Sequence, residues 1–297
     1  MRRSSPPAFR LARLARLPAL LSGLAGLVVP LGVPAAQATE SAEEAPPHND
    51  EDELAEVDAF AADRSANGSP FIEAPGMAVG LSTASAVLPY GGAPPSARYV
   101  TMDRKTCEAE LVHRRIPFDR VDEARGVVAP VRLTGPLWGV AFHSNLPSKQ
   151  RKTSVYEIYD CRLVLALDDF ARILSRYDIV DVTHLSVYRP PPQRTPLKGP
   201  GRRHSGALAI DAALFKTRDG RTLSVLKDFN GRIGAKTCSS TGTPSKLSAN
   251  ATTLRQLVCE AADARLFNVL LTPDFNWAHR NHFHLEVTSG ARWIYVK

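Results

Sequence analysis

One segment constrains the fold of this chain more than any other: Trp277-Ala278-His279-Arg280-Asn281-His282-Phe283-His284-Leu285-Glu286. It holds three of the chain's eight histidines within six residues. Side chains alternate between the two faces of a strand, so a strand from Asn281 to Val287 puts His282 and His284 on one side. Phe283 and Leu285 then point the other way and argue that the opposite face is buried. Two imidazoles side by side suit zinc ligation, or one ligand beside one acid/base group. The His-x-His spacing alone is equally compatible with two exposed histidines.

A second cluster lies upstream, in His204-Ser205-Gly206-Ala207-Leu208-Ala209-Ile210-Asp211. His204 ends a loop rich in Pro, Gly and Arg, and Asp211 interrupts an apolar, strand-like run. An Asp between Ile210 and Ala212-Ala213-Leu214 is costly to bury without compensation. A metal removes that cost, and a half-exposed strand avoids it. Taken together, His204, Asp211 and His284 supply the three protein ligands of an open zinc site, with water in the fourth position.

Leu163, Ala166, Leu167, Phe170, Ile173, Leu174 and Tyr177 recur at helical spacing and predict an amphipathic helix from Cys161 to Tyr177. A second helix is expected after Thr252-Thr253, running to Leu266. Strands are expected at Gly139–His143, Thr183–Tyr188, Leu208–Phe215, Thr222–Leu226, Asn268–Leu271, His282–Val287 and Arg292–Val296. The fold class is therefore α+β, a mostly antiparallel sheet with flanking helices. The four cysteines, Cys107, Cys161, Cys238 and Cys259, suggest two disulfides in an exported chain. Three pairings are open, and order along the chain favours Cys107–Cys161 with Cys238–Cys259. No two cysteines lie two to four apart, which argues against a cysteine zinc site.

The metal constellation resembles the LAS metallopeptidases, which include D-Ala-D-Ala carboxypeptidases, penicillin-insensitive murein endopeptidases and the hedgehog signalling domain. The resemblance implies an LAS/hedgehog-like core and Zn2+ held by His204, Asp211 and His284. His279, His282 and His284 further resemble the His-x-x-His-x-His of the murein endopeptidase branch, and Ser186-Val187-Tyr188-Arg189 resembles the group's Ser-x-Tyr-Arg turn. From Cys107 through Ile116-Pro117-Phe118, Gly126-Val127-Val128-Ala129-Pro130-Val131 and Cys161 to His204, the chain is similar to the bacterial extensin-like C-terminal domain family. Two departures stand out. Arg125 precedes Gly126 where that family has Cys, and Gly206 falls one residue early, leaving Ala207 where glycine is usual.

The implied function is zinc-dependent hydrolysis of peptidoglycan peptides, of the D,D-carboxypeptidase or endopeptidase kind. His282 is the expected acid/base group, His279 would orient water or an oxyanion, and Arg189 would bind a substrate carboxylate or aid the oxyanion. The Glu that many LAS members use has no counterpart at equivalent spacing, and Glu286 is a less direct candidate. That absence favours the alternative, a non-catalytic zinc-stabilised module for wall binding or signalling. Ser224-Val225-Leu226-Lys227 fits the S-x-x-K of serine penicillin-binding enzymes, but S-D-N is missing.

The start of the chain sets the compartment. Basic residues from Arg2 to Arg16, an apolar run from Leu17 to about Val33, and Ala36-Gln37-Ala38 describe a signal peptide over 1–38. The apolar run is broken by prolines and short for a span of ~20 residues, so no stable membrane span is expected after cleavage. Residues 39–96 read as an acidic, Pro/Ala-rich disordered linker, and 97–297 as the zinc domain. The leader holds five Arg, and residues 39–73 hold Arg64 against eleven acids. Residues 74–297 therefore carry 31 Lys+Arg and 19 Asp+Glu, a net +12. A basic, exported domain suits an anionic cell wall, in the periplasm or outside the cell. No zinc-finger, RNP or helix-turn-helix pattern points to nucleic acid.

Overall fold

The structure, a computed structural model, describes residues 93–194, 196–239, 246–288, 291 and 294–297. The expected leader and nearly all of the expected linker fall outside these residues, as does Trp293. In chain order the elements are α1 (Pro95–Tyr99), α2 (Arg104–His113), β1 (Phe118–Arg120), β2 (Pro130–Leu133), β3 (Ala141–Ser144), α3 (Ser148–Arg151), β4 (Tyr159–Asp160), α4 (Cys161–Arg176) and β5 (Ile179–His184). There follow β6 (Ala209–Thr217), β7 (Thr222–Ser224), α5 (Val225–Asp228), α6 (Ala249–Asp263), β8 (Val269–Leu271), β9 (Phe283–Glu286) and β10 (Tyr295–Val296). The fold is α+β. Among the described residues no helix is long and apolar enough to cross a membrane.

The main sheet runs β10-β8-β9-β6-β5-β3, with β7 also paired to β6. Its pairings are antiparallel except for β3 with β5 and β8 with β10, which are parallel. A second sheet, β1-β2-β4, is antiparallel throughout. On the main sheet Ile210, Ala212, Phe215, Leu270, Phe283 and Leu285 belong to the apolar core. Asp211, His284 and Glu286 alternate with them and so occupy the opposite face. The helices bury one face, which frees the other for chemistry.

Helix α4 begins where the Asp160 side chain accepts from the Arg162 N–H at 3.0 Å, a capping bond that satisfies an otherwise orphaned donor. Its apolar residues are buried nearly all round, from Leu163 to Leu174, which marks it as a core helix rather than a surface one. Each Leu or Phe buried this fully stabilises the fold by ~1.5–3 kcal/mol. Cys107–Cys161 ties α2 to the first residue of α4, and Cys238–Cys259 ties the loop before α6 to that helix.

Several boundaries differ from the sequence expectation for local reasons. The second helix starts at Ala249, because the hydroxyl of Ser248 accepts from the Ala251 N–H at 3.1 Å. Thr252 and Thr253 thus lie inside it, their hydroxyls bonded back to the carbonyls of Ser248 and Ala249. The strand expected to start at Thr222 stops at Ser224, whose hydroxyl caps α5 by accepting from the Lys227 N–H. The S-x-x-K pattern is therefore a helix cap here. Strand β5 ends at His184, where a register shift leaves Ala213 without an opposite residue. Beyond it the Leu185 N–H donates to the Asp211 carbonyl, and the Asp211 N–H to the Ser186 carbonyl, both at 2.9 Å. Such irregularities re-aim side chains beside functional sites.

Candidate metal centre

Asp211 and His284 face each other across the antiparallel β6–β9 pair, and His284 Nδ1 lies 3.1 Å from Asp211 Oδ1. His204 comes from the 3-10 turn Arg203–Gly206 that leads into β6. Its Nε2 lies 3.2 Å from the same carboxylate oxygen. The three side chains offer ligand atoms all within 4.8 Å of one another, and each residue is 2 % exposed or less.

The turn that presents His204 is tight. A Cβ on Gly206 would sit 2.2 Å from the Gly201 carbonyl oxygen, so only glycine fits there. Ala207 takes the left-handed conformation, φ 53°, that usually ends such a turn on glycine. The shift of glycine by one residue is thereby accounted for: close approach needs it at 206, and Ala207 bears the backbone strain. Arg125 donates to the carbonyls of Pro191 and Pro192. Its own carbonyl accepts from the Tyr188 hydroxyl at 2.8 Å. A set of hydrogen bonds thus ties the Pro-rich loop to the 125 region.

The outer atoms of each ligand are held by acceptors or donors that fix their orientation. His204 Nδ1 is 2.9 Å from the Val187 carbonyl, a group that can only accept, so Nδ1 carries the proton. His284 Nε2 is 3.2 Å from Glu286 Oε2 and donates to it in the same way. Arg189 donates to Asp211 Oδ2 at 2.6 Å and to the Ser186 hydroxyl at 2.8 Å. His282 Nδ1 sits 2.8 Å from Asn281 Oδ1, and its Nε2 turns inward to 3.4 Å from Asp211 Oδ1. Ring nitrogens of three imidazoles therefore converge on one carboxylate oxygen. Outward N–H bonds of this kind form the second sphere that orients histidines wherever they bind a metal. Two imidazole nitrogens and one carboxylate oxygen are a donor set that fits zinc.

The ionisation of the metal-free cluster follows from the same contacts. Burial alone would raise the Asp211 carboxyl, yet His204, His282 and the bond from His284 hold it well below the usual carboxylate range. Burial, opposed by Asp211 but reinforced by His279, His284 and His204, pushes His282 down to about 3. His282 is thus a neutral imidazole at physiological pH. Glu286 is also raised by burial, and the bond to His284, Arg203 and Thr288 bring it below its ordinary value.

The structure brings all six singled-out residues to one place. His279 ends the 3-10 turn Trp277–His279, its Nδ1 2.7 Å from Asn276 Oδ1 and its ring 5.1 Å from that of His282. Arg189 touches Asp211 itself. Glu286, read from sequence as a weak acid/base candidate, instead supports His284 from behind, with the Thr288 hydroxyl at 2.6 Å on its other oxygen. Its place two residues after His284 on the same strand face was the signal for that role. The Val187 carbonyl, Asn276 and Asn281 left no such signal. Trp277 is 70 % exposed, with Arg280 stacked on its ring at 4.8 Å.

A disulfide-braced α+β domain built around a buried His/Asp/His cluster is the class of protein these features define. Residues 105–296 match the extensin-like protein C-terminus family, and the chain belongs to that family. No curated protein and no solved structure matches the chain.

Proposed function

We propose that this domain is a zinc-dependent hydrolase of the LAS peptidase type that acts on the peptides of peptidoglycan outside the cytoplasm. The observation that carries the proposal is the convergence of His204 Nε2, Asp211 Oδ1 and His284 Nδ1 on one buried point, each oriented from behind. Zinc held there would supply a Lewis acid that activates water near neutral pH and polarises a carbonyl. His282, fixed through Asn281 with Nε2 turned inward, is the group placed to relay a proton from that water to the leaving amine. His279, held by Asn276, lies beside it and orients water or a developing oxyanion. The Arg189 side chain is 32 % exposed while it grips Asp211, so a substrate carboxylate can reach it from solvent. A net +12 over residues 74–297 suits an anionic wall polymer, and the two disulfides suit export.

One observation favours a second reading. His282 Nε2 approaches Asp211 Oδ1 almost as closely, at 3.4 Å, as the two ligand histidines do. If it too ligates, the site closes at four protein ligands, as structural zinc sites do. The domain would then be a zinc-stabilised wall-binding or signalling module. The deciding experiment measures the metal content of the purified chain alongside digestion of peptidoglycan with and without chelator. Zinc with chelator-sensitive new peptide ends supports the peptidase. Zinc without cleavage supports the module, and a metal-free chain refutes both.

A further inference from the structure

The two disulfides sit in opposite environments. Cys107 and Cys161 are fully buried, whereas Cys238 is exposed and Cys259 half-buried. The exposed pair also fastens a loop that packs on the segment leading to His279. Residues 230–237 wrap around Pro273 and Asp274: a Cβ on Gly231 would lie 2.6 Å from the Pro273 Cβ. The wholly buried Asp274 accepts from the Arg232 N–H at 2.7 Å, from the Thr237 hydroxyl at 3.0 Å and from Arg255 at 3.1 Å. Its carbonyl accepts from the Gly234 N–H at 2.7 Å. Arg255 and Cys259 lie one turn apart on α6, so the helix holds the loop at two neighbouring points. Directly after Asp274, Phe275 packs its ring 5.3 Å from that of His279, and Asn276 holds His279 Nδ1.

We propose that Cys238–Cys259 is a redox latch on the His279 edge of the metal centre. A dithiol attacks the exposed Cys238 sulfur, Cys259 leaves as thiolate, and the second thiol of the reagent resolves the mixed disulfide. Two electrons and two protons pass to the pair, leaving two cysteine thiols and an oxidised dithiol. Opening the latch removes the covalent tie from α6 to the loop and leaves it to hydrogen bonds such as those of Arg255, and the segment 272–279 loosens with it. Cys107–Cys161, out of reach of the reagent, stays closed. The effect on the metal rests on the zinc reading above; the order of reduction and the loosening do not.

The test treats the full oxidised chain with graded dithiothreitol under native conditions, maps free thiols by alkylation, and follows amide hydrogen exchange. Cys238 and Cys259 should label at a dithiol concentration about tenfold below that needed for Cys107 and Cys161. Exchange over 272–279 should rise in step, and zinc affinity should fall. The double variant Cys238→Ser/Cys259→Ser should show the faster exchange without reagent and no response to it. Simultaneous reduction of both pairs, or faster exchange that stops at Ser239 and spares 272–279, overturns the latch. A chain that binds no zinc refutes the metal reading, while thiol order and exchange still decide the latch.

Discussion

Arg189 donates a 2.6 Å hydrogen bond to Oδ2 of Asp211, the oxygen turned away from His204 and His284. The pair divides the carboxylate between two tasks. One oxygen is fixed by a guanidinium, and the other is left to face the converging imidazoles. An unheld carboxylate would rotate between both geometries, so Arg189 sets the position of Asp211, the proposed metal ligand, whatever else it binds. Arg189→Ala should therefore weaken zinc by roughly 10–100-fold, the usual cost of removing an outer-sphere partner, with the domain still folded. Zinc competition against a chromogenic chelator, beside a thermal melt, checks this. Unchanged zinc affinity would restrict Arg189 to substrate binding.

The ligands and the proposed base separate by mutation. Asp211→Ala or His284→Ala removes one of the three donors that meet at the site and should abolish tight zinc binding. Retention of stoichiometric metal by both variants would remove the assignment. His282→Ala should keep much of the zinc and lose at least about 100-fold in hydrolysis. If that variant instead loses its metal, His282 is a fourth ligand and the closed-site reading stands.

The residues of the candidate site could be picked out of the sequence because the pattern and the pleat coincide. Alternation in His282-Phe283-His284-Leu285-Glu286 places His284 and Glu286 on the face away from the core, as found, and Asp211 in its apolar run pairs directly with His284. Helix α4 was legible from periodicity for the same reason. Helix α2 was not, since Cys107 and Leu111 are its only buried apolar residues and its hold on the core comes through the disulfide. The sheet β1-β2-β4 was equally hidden, because strands of two to four residues are too short to show a period. The supports supplied by a backbone carbonyl, such as that of Val187, depend on chain geometry and leave no mark on residue type.

Acid should destabilise the metal-free domain in two stages. His282 ionises at about 3 in the fold against an ordinary 6.5, and His184, wholly buried, is also lowered, chiefly by burial. Below pH 6.5 the unfolded chain binds protons that the native state refuses, so stability falls as pH drops from there toward 3. The loss is on the order of a few kcal/mol. Asp211, Glu157 and Glu286 lie below their ordinary values, so their contribution disappears only beneath about pH 4.5. Chemical denaturation of chelator-treated protein between pH 7 and 3 measures both stages. A flat profile from pH 6.5 to 5 would mean that His184 and His282 are not held neutral.

The turn before β6 offers a sharper test of how the fold builds the site. Gly206 is packed so closely that a Cβ would meet the Gly201 carbonyl at 2.2 Å and its carbon at 2.7 Å. Both contacts are backbone, so neither can swing aside, and Gly206→Ala must push the 201 strand of the loop away from the turn. His204 sits in that turn, and its carbonyl accepts from the Arg189 backbone N–H at 3.0 Å. The displacement therefore reaches one ligand and the holder of another at once. We expect Gly206→Ala to cost about 2–3 kcal/mol of stability, in the range of other backbone-incompatible and overpacked substitutions. Zinc affinity should fall more than tenfold even in the fraction that folds. Ala207→Gly, one residue on, relieves a left-handed alanine but removes a buried methyl, two effects of ~1 kcal/mol that offset each other. Equilibrium unfolding and zinc competition on both variants distinguish the cases. Equal behaviour of the two would show that the turn relaxes freely and does not set the position of His204.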